Sequence, residues 1–102
     1  MEQTMIVREV SPKRTFDGTN RYGQSEQQTV KSIIAETASG LLAADAFGPV
    51  AEALEKSHVQ PGDVLMGQLY FKTRSWKTQQ GEERLETKIN LTQFIITHKE
   101  TD

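Results

Sequence analysis

Apolar and polar residues alternate most regularly across Asp63–Trp76. There Leu65, Leu69, Phe71 and Thr73 interleave with Met66, Gln68, Tyr70, Lys72, Arg74 and Trp76. A repeat of two predicts a strand with one buried face, because successive side chains point to opposite sides of a sheet. Gly67 falls on the face of Leu65 and Leu69, where a residue without a side chain lets a sheet bend sharply. Arg84–Thr97 follows the same rule, with Leu85, Thr87, Ile89 and Leu91 on one parity and Phe94 and Ile96 on the other. The change of parity predicts a bulge between Leu91 and Phe94. Lys77–Glu83, built on Gln80-Gly81, reads as the polar loop that joins the two strands into a hairpin.

Upstream, Thr4–Val10 is a strand rich in Met, Ile and Val that ends at Ser11-Pro12, since proline cannot donate to a strand ladder. Phe16–Ser25 carries Asp17-Gly18, Asn20 and Gly23 and is expected to be an exposed loop. Gln28–Thr37 is the second strand, centred on Val30–Ile34, and Ala38-Ser39-Gly40 turns into a third, Leu41–Phe47. The alanines there leave a helix over Leu41–Leu54 as a competing reading. Gly48-Pro49 places a helix start at that point, because proline suits the first turn and disrupts later ones. The helix is expected over Pro49–Ser57, with Val50, Ala53 and Leu54 facing inward and Gln60-Pro61-Gly62 closing it. Lys99–Asp102 is expected to be a short polar tail. The resulting class is mainly β. Strand, strand, strand, helix, strand, strand is the order of the OB-fold, a five-stranded Greek-key barrel that binds oligonucleotides and oligosaccharides on one face.

Length and composition narrow the picture. With 102 residues the chain has room for one domain, 1–102, around one core. It has no Cys, which removes disulfides, thiolate zinc sites and cysteine nucleophiles. No apolar run reaches the length of a membrane span, and Met1–Val10 lacks the layout of a signal peptide, so a cytoplasmic protein without membrane partners is expected. His58 and His98 stand alone, without metal-ligand spacing, and no nucleophile, P-loop or dinucleotide motif occurs. Neither an enzyme nor a metal or cofactor site is expected. The 12 Lys and Arg against 14 Asp and Glu argue mildly against nucleic acid, whose phosphates bind mainly Lys and Arg. Their distribution softens this: Arg8, Lys13, Arg14, Arg21 and Lys31 oppose only Glu9, Asp17 and Glu26, and Lys72, Arg74 and Lys77 have no acid between them.

Gly62–Thr87, GDVLMGQLYFKTRSWKTQQGEERLET, resembles the final hairpin of the bacterial-type single-stranded DNA-binding protein family. Thr73-Arg74-Ser75-Trp76 matches that family's Thr-Arg-x-Trp, and Gly81 and Arg84 follow at its spacing. Phe47-Gly48-Pro49-Val50-Ala51-Glu52 is similar to its Phe-Gly-x-Leu-Ala-Glu at the strand-to-helix junction. The two motifs fall within Leu41–Leu91, about half the chain, while the first 40 residues match only in general pattern. The resemblance implies an OB-fold that binds single-stranded DNA without catalysis, serving replication, recombination or repair, and usually a homo-oligomer. It also implies that Phe47 and Trp76 stack on bases. Three departures point to weaker or more specialised binding. Leu41 replaces a family Trp, Ala38-Ser39-Gly40 replaces a long loop, and the family's acidic C-terminal tail has no counterpart.

Strand parity puts Lys72, Arg74 and Trp76 on one outward face with Tyr70, so an indole and cations meet where bases and phosphates could bind. Such a tryptophan can equally cover a barrel mouth, Phe47 can be core, and surface cations more often form solvated ion pairs. The candidate set is Trp76, Arg74, Lys72, Phe47, Lys77, Tyr70, Arg8 and Lys31, with Phe16, Arg21 and Tyr22 from the early loop. RNA is an alternative ligand. The first strand, if at an edge, would pair with its copy to build a dimer or tetramer. The competing function is an OB-fold module that binds protein and no nucleic acid.

Overall fold

The computed structural model describes residues 1–19 and 22–101. Alternation becomes strand wherever the sequence shows it, giving β1 (Glu2–Val10), β2 (Arg14–Thr19), β3 (Ser25–Thr37), β4 (Gly40–Phe47), α1 (Pro49–Lys56), β5 (Val64–Lys77) and β6 (Glu83–His98). The helix-over-strand alternative for Leu41–Phe47 is excluded, because β4 pairs residue for residue with β3 from Thr37↔Gly40 to Val30↔Phe47.

Five of the strands close into a ring of pairings. β1 lies antiparallel to β5 through Glu2–Ile6 and to β3 through Ile6–Val10. β5 pairs along its full length with β6, and β4 along its full length with the second part of β3, Val30–Thr37. The ring is completed where β4 meets β6 in parallel at one pair, Asp45↔Asn90. β2 lies outside the ring, on the half of β3 that β1 leaves open. β1 pairs with β5 on one side and β3 on the other, so the condition for pairing with its copy, an exposed edge, is not met.

Inside the ring sit Met5, Val7, Ile33, Ala35, Ala44, Ala46, Leu65, Leu69 and Leu91. The two inward alanines of β4 leave room for α1, whose Ala51 and Leu54 join the core together with Val59. The inner helix face is therefore Ala51–Leu54, and the expected Val50 and Ala53 lie half-buried at its flank. Gly48 begins the helix at φ 56°, a backbone that residues with a Cβ rarely adopt.

The expected bulge is at Thr92: Gln68 opposes Gln93, while Leu69 opposes Leu91. Gly67 lies on the inner face beside it, as its parity predicts. A Cβ there would come within 2.5 Å of Met5 Cε and 2.7 Å of Leu91 Cδ1. We expect Gly67→Val to destabilise the fold by about 1–3 kcal/mol through overpacking. A lower urea midpoint at unchanged slope would show it.

Two further expectations fail. Phe16–Ser25 is not one loop, because Phe16–Thr19 belong to a strand paired with Ser25–Gln28. Both faces of this ribbon are largely solvated, so no hydrophobic alternation marks it. Nor are Lys99 and Glu100 simply part of a polar tail, of which Asp102 lies outside the described residues. The buried Asp63 carboxylate accepts from Lys99 Nζ (2.6 Å), Glu100 N (2.7 Å) and Gln60 N (2.9 Å), binding the chain after β6 to the loop before β5. No helix among the described residues is long and apolar enough to cross a membrane.

Candidate functional site

Beyond Tyr70↔Asn90 the β5–β6 hairpin leaves the ring, and every residue from Tyr70 to Lys77 is exposed. Directly opposed residues in an antiparallel ladder share a face. The pairs Tyr70↔Asn90, Lys72↔Lys88, Arg74↔Glu86 and Trp76↔Arg84 therefore form one surface. It carries two aromatic rings, four cations and one acid. Tyr70 and Trp76, six residues apart on one strand, are separated by about 20 Å.

Trp76 is 44% exposed, and the Arg74 guanidinium carbon lies over its ring, 5.2 Å from the centroid. Arg74 Nε also donates to Glu86 Oε2 at 3.0 Å, which fixes the guanidinium between ring and carboxylate. The expected grouping of indole and cations on one exposed face is present. Lys77 is not part of it: paired with Glu83, it has the opposite parity, that of Phe71, Thr73 and Ser75.

The same outward face continues across the ring. Asn90 opposes Asp45 on β4, and Asp45 opposes Ser32 on β3. Ser32 Oγ donates to Asp45 Oδ1 (2.5 Å) and accepts from Arg14 Nη2 (3.3 Å), which draws β2 into the row. One step further along β4, Phe47 meets Phe16 of β2 edge to face, with ring centroids 6.4 Å apart. Both rings are about 40% exposed, so neither is simply core. Leu41 is 69% exposed and shares the parity of Asp45 and Phe47.

Other candidates are placed elsewhere. Lys31 has inward parity, is 7% exposed, and donates to Glu55 Oε2 of α1 at 2.7 Å. That hydrogen bond, and then the charge of Lys31, holds the Glu55 carboxyl below its ordinary range. Burial and this pairing remove Lys31 from any surface reachable by phosphate. Arg8 sits at the β1 bulge, paired with Glu36 at 2.8 Å. Tyr22 is exposed in the β2–β3 connection, and Arg21 lies outside the described residues. Among the described residues no cluster of three or more His, Asp or Glu is placed to hold a metal ion.

Three site residues escaped the sequence reading: Lys88, Arg84 as a partner of Trp76, and Arg14 beside Phe16. Hairpin register holds the signal for the first two. Pairing outward from the ends of the Lys77–Glu83 loop sets Trp76 against Arg84 and Lys72 against Lys88. No protein-family model matches the chain, and neither does any curated protein.

Proposed function

We propose that this chain is an OB-fold protein of the single-stranded DNA-binding type, holding unpaired DNA by base stacking and phosphate neutralisation with little regard for sequence. The observation that carries the proposal is the single outward face on which Trp76, Tyr70, Phe47 and Phe16 accompany Lys72, Arg74, Arg84, Lys88 and Arg14. Every base has a π-face, so rings spaced along a positive track accept any sequence. The ring order supports the fold reading. β1, β3, β4, β5 and β6 take the places of the five barrel strands, with α1 between the third and fourth. The β5–β6 hairpin and the β2–β3 ribbon correspond to the two loops that flank the ligand face in OB-folds. A cytoplasmic role in replication, recombination or repair fits such a ligand, and a homo-oligomer fits the resemblance.

The test is a titration with oligo-dT at several salt concentrations. Trp76 is the chain's one Trp, so stacking is expected to quench intrinsic emission. Affinity should fall as salt rises, with a log–log slope of about −0.7 per phosphate contacted. Unchanged emission at low salt, with no change in anisotropy of a labelled oligomer, would remove the proposal.

One observation favours the protein-binding alternative. A groove of about 690 Å³ lies between α1 and the end of β6, where Val50, Ala53, Met66, Phe94 and Ile96 form an apolar lining. Binding there would be far less sensitive to salt than binding along the cationic face.

A further inference from the structure

Lys72 and Lys88 oppose each other directly on the outward face of the β5–β6 hairpin. Side chains so placed start about 5 Å apart at Cβ, and like charges in that position destabilise the ladder. The other cations of this face have acids: Arg74 pairs with Glu86 at 3.0 Å and Arg84 with Glu82 at 2.8 Å. No acid among the described residues pairs with either lysine. Glu82, Glu83 and Glu86 all lie nearer the hairpin tip, and Lys88 opposes Lys72 where an acid would have relieved the strain. On one side the next pair is Tyr70–Asn90, and on the other the Arg74–Glu86 pair leads to Trp76. The two ammonium groups thus form the least compensated positive spot of the surface, between its two exposed rings.

We infer that Lys72 and Lys88 form one phosphate subsite that clasps a single phosphodiester of the bound strand. This rests on the single-strand reading above and adds a specific consequence. The free hairpin carries a repulsion that the ligand removes, so occupancy of this subsite and stability of the hairpin are coupled. Tyr70 lies about 7 Å along the strand on one side and Trp76 about 13 Å on the other. Nucleotides on either side of the clasped phosphate therefore reach different rings.

The experiment uses the full chain, with oligo-dT as probe. The double variant Lys72→Gln/Lys88→Gln is expected to reduce the magnitude of the salt slope by about 0.7, the value for one phosphate on a single strand. Two independent contacts would reduce it by about 1.4, and that result overturns the shared subsite, as does an unchanged slope. Without ligand, Lys88→Glu should raise the melting temperature by a few degrees, since it exchanges repulsion for a cross-strand ion pair. The same variant should bind oligo-dT at least tenfold more weakly. A melting temperature that stays level or falls overturns the coupling. If the wild type itself fails to bind oligo-dT, the single-strand reading fails and takes this inference with it. If the wild type binds and only the slope is insensitive, the inference alone is lost.

Discussion

Trp76→Ala is expected to weaken oligo-dT binding by about 5–150-fold, because each stacked base contributes about 1–3 kcal/mol. It should scarcely change the unfolding midpoint. The indole projects from the end of β5, outside the buried core, and the Arg74 guanidinium lies over its ring. That cation–π contact, at an exposed site, contributes only about 0.5–1 kcal/mol. Binding followed by anisotropy of a labelled oligomer, alongside urea denaturation, separates the two effects. Equal affinity in wild type and variant would mean that the ring is not a stacking platform. A large drop in stability would mean that it is part of the core. Tyr70→Ala, at the other end of the same face, should show a loss of the same kind.

The second large effect concerns the core. Asp63→Ala is expected to destabilise the protein by about 2–4 kcal/mol, because it leaves the backbone amides of Gln60 and Glu100 without their acceptor and Lys99 without its partner. A domain of this kind has about 5–15 kcal/mol in total, so the variant should lose a large share of its stability. Asp63 has no exposed surface, and its carboxylate is satisfied by Lys99 and by the backbone amides of Gln60 and Glu100. Asp63→Asn retains an acceptor and should lose less.

The same site sets a pH dependence. Burial raises the Asp63 pKa, but the hydrogen bonds from Lys99, Glu100 and Gln60 and the Lys99 charge together outweigh it, and the folded value lies below the ordinary one. A carboxyl depressed in the folded state contributes stability that is fully present above its unfolded pKa, near 4. That contribution is lost as pH falls through the lower folded value. Glu55, depressed by its bond with Lys31, acts in the same direction. Thermal scans from pH 7 to 3 should show the wild type losing stability below about pH 4 and Asp63→Asn losing less.

Much of this was legible before any coordinates. Parity alone placed Gly67 inward, Trp76 with Arg74 and Lys72, and the bulge at the change of phase after Leu91. Gly48-Pro49 marked the helix start for a steric reason that no tertiary context overrides. The failures have physical causes too. β2 and the first half of β3 form a ribbon open to water on both faces, so Thr15, Gln27 and Gln28 give no alternation to detect. The charge of Lys31 suggests a surface cation. An inward position with a carboxylate across the helix interface is a tertiary fact, visible only once α1 is docked. Asp63 looked like the first residue of a strand, and its partners come from Gln60 and from a segment more than 35 residues later in the chain. The importance of Lys88 depended on which residue faces it, and that follows from hairpin register.

The seams of the ring are unequal in length. β5 and β6 are joined along their whole run, whereas β4 and β6, though packed together, share a single ladder pair among the described residues, Asp45↔Asn90. A strand of DNA laid from Trp76 toward Phe47 would pass directly over that slender join. In the proposed complex the ligand would then act as a brace across the place where the protein's own backbone is least stitched together.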